Sequence, residues 1–234
     1  MKQITERAEQ IQKVEEFLKN YGHLYDPREL EYIRRNWQHS LNSKFNMDII
    51  RQVHSELGLV SETDNIYCGF MKILEEHFGY DRDIIEVGGG RIPSLAKLIA
   101  LKQKTGTITV YDPRLITTDS KIPNMTLKRE YFTLDSPVDN NQLVMAFMPC
   151  EATEKALTAA AKNNADFLIG LCEGGPHGDE FDYFEDEEEW LGNILYTAKR
   201  LVEQHNLGDL VVTDLKEFDD PYPVIYNKRK NSKK

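Results

Sequence analysis

Glu86, Gly88, Gly89, Gly90 and Asp112 are the residues of this chain whose types and spacing point to ligand chemistry. The apolar run Asp83-Ile84-Ile85-Glu86-Val87 ends in three glycines, and a helical pattern starts at Pro93. That layout predicts a parallel strand, a tight turn and a helix N-terminus. Glycines let a backbone approach a ligand closely, and the first amides of a helix are unpaired donors for an anion or polar group. A second strand, Gly106 to Tyr111, is closed by Asp112, 26 positions beyond Glu86. Nucleotide sites of α/β proteins place an acid there to accept hydrogen bonds from ribose hydroxyls.

The glycine spacing matches a dinucleotide fingerprint only in part. Gly88 and Gly90 fill the first two positions, while Pro93 stands where the third glycine would pack helix on strand. The acid Glu86 ahead of Gly88-Gly89-Gly90, followed by the strand-terminal Asp112, resembles motif I and the next acidic position of class I S-adenosylmethionine-dependent methyltransferases. Ile92 replaces the last glycine of that motif. The resemblance covers residues 80–228 and implies S-adenosyl-L-methionine as cofactor. It implies that the glycine turn holds the amino-acid portion, Asp112 the ribose, and the end of the third strand the adenine, with Tyr131 or Phe132 flanking the ring. Phe147 joins this cofactor set at the end of the fourth strand. The segment Phe147-Met148-Pro149-Cys150-Glu151 falls where methyltransferases carry substrate-handling residues, but it is not the Asn/Asp-Pro-Pro-Tyr motif of base or amide N-methylation.

The rest of the chain must position these groups. From Asp83 onward strands alternate with helices, which predicts a mostly parallel, seven-stranded Rossmann-like α/β sheet with helices on both faces. Expected strands are 107–111, 124–132, 142–147, 165–171, 210–215 and 224–226, besides the first. The last two form an antiparallel hairpin. Expected helices are 93–102 with Leu95, Leu98, Ile99 and Leu101 inward, the Ala-rich 150–162, and 187–205 with Trp190, Leu191, Ile194, Leu195, Ala198 and Leu201 inward. Residues 1–79 read as a helical extension or cap. It contains a helix capped by Asp26 ahead of Pro27, a helix over 47–57, and one starting near 61–64 that carries Ile66, Phe70, Ile73 and Leu74. Residues 229–234 are expected to be a disordered basic tail.

Ligands of open α/β sheets sit beyond the carboxyl ends of the strands. That rule gathers 88–91, 111–114, 130–132, 147–151 and 172–177 around one crevice. His177 is the one histidine expected there and hence the candidate general base. Gly174 and Gly175 give its loop the composition of a lid, and an acidic run, 179–189, follows. The cysteines Cys68, Cys150 and Cys172 form no C-x-x-C pair and read as reduced structural thiols, with no metal site implied.

A formal net charge of −10 disfavours a broad nucleic-acid surface without excluding a local one. No apolar run approaches a membrane span, so the expected location is cytoplasmic. The acceptor of a methyl group and the oligomeric state are not legible in the residues. Two rivals stay open: a SAM-binding or degenerate Rossmann module without catalysis, and an NAD(P)-dependent oxidoreductase, which Pro93 disfavours.

Overall fold

The computed structural model describes residues 12, 15, 19, 22–40, 66–172, 187–215 and 222–229. Its elements in chain order are α1 (Pro27–Ser40), α2 (Ile66–His77), β1 (Ile84–Val87), α3 (Ser94–Lys102), β2 (Ile108–Tyr111), β3 (Met125–Lys128) and β4 (Leu143–Phe147). A 3-10 turn (Cys150–Ala152), like one at Gly22–Leu24 ahead of α1, then leads into α4 (Thr153–Lys162), followed by β5 (Asp166–Gly170), α5 (Glu187–Gln204), β6 (Asp209–Leu215) and β7 (Tyr222–Lys228). The expected helix over 47–57, the segment 173–186 with Gly174, Gly175 and His177, and the tail beyond Arg229 lie outside the described residues.

The seven strands form one sheet in the order β3-β2-β1-β4-β5-β7-β6. The expectation of a mostly parallel sheet is corrected to a mixed one. Neighbours from β3 to β5 pair in parallel, whereas β7 runs antiparallel to both β5 and β6. The reason is connectivity: β6 and β7 form a hairpin, and the returning strand takes the place beside β5. Alternation of strands with helices is also corrected. Residues 103–149 contain no helix, so the crossovers from β2 to β3 and from β3 to β4 are loops. Pro113, Pro123 and Pro137 interrupt those stretches, and no helical apolar stripe runs through them.

Strands β1 and β4 are buried on both sides, which is why they read as continuous apolar runs rather than as alternations. On one face Ile84, Ile108, Val110, Leu143 and Met145 meet Phe70 and Leu74 of α2 and Leu95 and Ile99 of α3. On the other, Ile85, Val87, Val144, Ala146, Phe167 and Ile169 meet α4 and α5 through Ala156, Leu157, Ala160, Trp190, Ile194 and Ala198. The alanines of α4 let that helix lie close to the sheet, leaving room for the indole of Trp190. In α3 the buried stripe is Leu95, Ala96, Ile99 and Ala100, whereas Leu98 is only partly covered and Leu101 turns to solvent.

The N-terminal helices close onto this core. Asp26 caps α1 through its carboxylate to the Arg28 amide (2.9 Å), and Glu29 reaches back to the Asp26 amide (2.9 Å), a reciprocal capping box. Glu29 then forms a buried ion pair with Lys97 of α3 at 3.0 Å. The Lys97 ammonium also donates to the Leu24 carbonyl (3.2 Å) and lies over the Tyr25 ring (4.6 Å). Among the described residues, no helix is long and apolar enough to cross a membrane.

Candidate functional site

Strand order decides where a crevice opens. The chain leaves β1 for β2 and β3 on one side, then returns to β4 on the other side of β1. Loops after β1 and β4 therefore diverge from adjacent parallel strands, which is the switch point where ligands of open sheets lodge. The two loops touch there: a side-chain carbon added to Gly88 would lie 3.3 Å from Pro149 Cα.

The glycine turn is built tightly. At Gly89 an added Cβ would meet Val110 Cγ1 at 2.6 Å and Glu86 Oε2 at 2.8 Å, so only glycine fits over β2. Gly90 has φ +76°, in the left-handed region, and open space where a side chain would be. The turn is tied down on both sides, by the Gly88 amide to the Tyr111 carbonyl (2.9 Å) and the Ile116 amide to the Arg91 carbonyl (3.0 Å).

Asp112 sits at the end of β2, as the sequence indicates, and its carboxylate is already engaged. Oδ2 accepts from the Gly90 amide at 2.8 Å, and Oδ1 accepts from the Arg114 amide at 2.7 Å. The Arg114 guanidinium lies across both oxygens, with Nε 3.2 Å from Oδ1 and Nη2 3.0 Å from Oδ2. Burial opposes ionisation of Asp112, but the bonds from Arg114 and Gly90 outweigh it and hold the carboxyl below its ordinary range. Arg114 itself is 64% exposed.

Glu86 is the opposite case. It is buried, and its Oε2 has no hydrogen-bond partner among the described residues. Burial, reinforced by the negative charge of Asp112, pushes its pKa up to about 8. The turn thus holds two acids of opposite habit, one ionised and saturated with donors, the other protonated at neutral pH and short of one.

The remaining expected site residues divide. Phe132 is buried, with its ring edge-on to Tyr111 at 5.3 Å, so it belongs to the core under the crevice. Its neighbour Tyr131 is 70% exposed. Phe147 lies edge-on to Phe70 of α2 at 5.1 Å and covers Gly170, where an added Cβ would sit 2.8 Å from its ring. Phe147 is therefore a contact between crevice floor and N-terminal region. His177 lies outside the described residues.

Three features were not anticipated from the sequence. Arg114 covers Asp112, and nothing in the residue order foretells the direction of its side chain. Met148 and Cys150, either side of Pro149, both have positive φ (52° and 47°), an uncommon conformation for non-glycine residues that concentrates at functional loops. Finally, the Cys150 and Cys172 sulfurs lie 3.2 Å apart, although wide spacing had argued against any pairing.

No protein-family model matches the chain, and no curated protein matches it. Among the solved structures it resembles, proteins named as methyltransferases or held with S-adenosyl-L-methionine recur. One is a precorrin-6y C5,15-methyltransferase from Geobacter metallireducens, 14% identical with a TM-score of 0.46, covering 69% of this chain and 87% of that one. Another is the fibrillarin of Aeropyrum pernix with natively bound S-adenosyl-L-methionine, 14% identical with a TM-score of 0.45, over 63% of this chain and 67% of that one. A third is a SAM-dependent methyltransferase from Aquifex aeolicus, 16% identical with a TM-score of 0.42, over 68% and 88% respectively. The chain's own strand order and side-chain geometry carry the functional reading.

Proposed function

We propose that this chain binds S-adenosyl-L-methionine at the β1–β4 switch point and transfers its methyl group to an acceptor. The observation that carries this reading is the buried, unpartnered Oε2 of Glu86 beneath the glycine turn. A buried acid held neutral for want of a partner ionises when a cationic donor reaches it. A ligand with an ammonium and a sulfonium brings such charge. Pro93 in place of the third glycine disfavours a dinucleotide.

The residues present fit that ligand. Gly90 leaves open space at the turn, and Glu86, closed off from solvent beneath it, answers a cation held above the glycines by ionising. Asp112 is to accept the ribose hydroxyls, which requires Arg114 to yield its place. Only Arg114 is exposed, while Asp112 is buried, so the guanidinium leaves as the ribose hydroxyls take over its bonds to the carboxylate. Bound S-adenosyl-L-methionine supplies an electrophilic methyl on a sulfonium. The chain's own work is to orient that methyl and an acceptor in line and to exclude water.

The N-terminal region, 1–79 by our division, is assigned the acceptor side. Its helix α1 reaches the loop after β2 through Arg28, which donates to Thr117 (2.7 Å) and Asp119 (2.6 Å). The Arg91 guanidinium of the glycine turn stands 5.8 Å from the ring centre of Tyr32 in the same helix.

Incubation with methyl-labelled S-adenosyl-L-methionine and a panel of hydroxyl, amine and carboxylate acceptors tests the activity. Transfer of label to one acceptor class, with S-adenosylhomocysteine appearing in equal amount, supports the enzyme. Saturable binding with no label leaving the cofactor under any condition favours the non-catalytic module instead.

A further inference from the structure

The loops leaving β4 and β5 carry one cysteine each, and parallel pairing brings them together. Register aligns Phe147 with Gly170, and the Met148 amide donates to the Gly170 carbonyl at 2.8 Å. Two residues beyond each of that aligned pair stand Pro149 and Cys172, and Cys150 follows Pro149. The left-handed backbone at Met148 and Cys150 folds the β4 loop back, so that the two sulfurs meet at 3.2 Å.

We propose that Cys150 and Cys172 form a reversible disulfide, a modification site at the rim of the crevice. The sulfurs are already in contact, and a bond of about 2.05 Å brings them only about 1 Å closer. Both are half-buried, and Cys150 lines a groove of about 670 Å³ between α4 and α5 that gives a small oxidant access to it. Cys150 is the reacting thiol. It opens the 3-10 turn leading into α4 and lines the groove that admits the oxidant.

With a peroxide as oxidant the step balances. The Cys150 thiolate attacks one peroxide oxygen, the O–O bond breaks, and a sulfenic acid and hydroxide form. The Cys172 thiolate then attacks the sulfenic sulfur and expels its hydroxyl as water. Overall, two thiols and one hydrogen peroxide give one disulfide and two waters. A dithiol reductant reverses it by exchange. The bond ties the chain leaving β5 to the first turn before α4, beside the Pro149 backbone that touches Gly88.

Peptide mapping of the intact protein after brief hydrogen peroxide treatment, followed by alkylation, tests this without any variant. The expected product is a linked Cys150–Cys172 peptide pair lacking two hydrogens, with Cys68 still alkylated and the link lost on dithiothreitol treatment. Cys150→Ser and Cys172→Ser, treated alike, should each fail to lose two hydrogens, while Cys68→Ser should still lose them. Peroxide that leaves Cys150 and Cys172 alkylatable, links either one to Cys68, or carries Cys150 to a sulfinic acid with Cys172 reduced overturns the proposal.

Discussion

The Gly90 amide donates to Asp112 Oδ2 at 2.8 Å, so the acid that ends β2 also fixes the turn that follows β1. Asp112 is thus structural in the empty protein, apart from the ligand contact proposed for it. Asp112→Ala removes a buried acceptor of charge-assisted bonds, worth about 1.5–3 kcal/mol, and should lower unfolding stability by that order in urea titrations. It should also weaken cofactor binding roughly tenfold or more. Because its folded carboxyl titrates below the ordinary range, its stabilisation is present above the unfolded pKa and lost as pH falls through the folded one. The gap between wild type and Asp112→Asn should accordingly shrink in acid. Unchanged apo stability in Asp112→Ala would contradict the role given to the Gly90 bond.

Glu86 predicts the reverse pH dependence. Its pKa is raised to about 8, so its contribution is undiminished below the unfolded carboxyl value and is lost as pH rises toward 8. Glu86→Gln keeps the shape of the neutral acid and cannot ionise. Thermal melts should find the variant close to wild type near about pH 5 and clearly more stable near pH 8. The same variant should bind S-adenosyl-L-methionine more weakly and without the proton release that wild type shows near neutrality in buffers of differing ionisation heat. A constant stability gap across that pH range would mean that Glu86 is ionised in the fold.

The glycines of the turn should separate packing from binding. In Gly89→Ala the new methyl meets Val110 Cγ1 at 2.6 Å and Glu86 Oε2 at 2.8 Å, an overpacking that costs about 1–3 kcal/mol. In Gly90→Ala the methyl enters open space, and the left-handed backbone costs about 1–2 kcal/mol. Both variants should be less stable, but Gly90→Ala should lose more affinity per unit of stability, because its methyl occupies the ligand's side of the turn. Paired urea and binding titrations read this directly.

Lys97→Met tests how far the N-terminal helices belong to the core. It leaves Glu29 buried, with its Oε1 already lacking a partner, and removing one member of a buried pair costs about 3–5 kcal/mol. Limited proteolysis should then cut near α1 well before the sheet unfolds. Equal protection of α1 in variant and wild type would show that the capping box and apolar contacts hold it without the ion pair.

How much of this was readable in the residues follows from what each element rests on. Strands β1, β2, β4 and β5 are short apolar runs bounded by turn residues, and the glycine turn and the closing hairpin are signalled locally. The stretches on either side of β3 hold Pro113, Pro123 and Pro137 and no helical stripe, so no helix is expected within them although the chain reads overall as alternating strand and helix. Leu101 reads as buried in the sequence because four apolar residues fall within one short helix. The stripe instead runs through Ala96 and Ala100, with Lys97 turned toward Glu29. Arg114 over Asp112 and Cys150 against Cys172 depend on side-chain direction and strand register, which one sequence does not encode at any fixed spacing.

Isothermal calorimetry of the intact protein with S-adenosyl-L-methionine, S-adenosylhomocysteine, NAD and NADP, on wild type and Arg114→Ala, tests the central claim most directly. Both sulfur nucleosides should bind at micromolar strength and neither dinucleotide should bind. Their affinity should be a few-fold higher in Arg114→Ala, since the guanidinium no longer has to be displaced from Asp112. Dinucleotide binding without S-adenosyl-L-methionine binding, or NADP binding that Arg114→Ala abolishes, would contradict that claim.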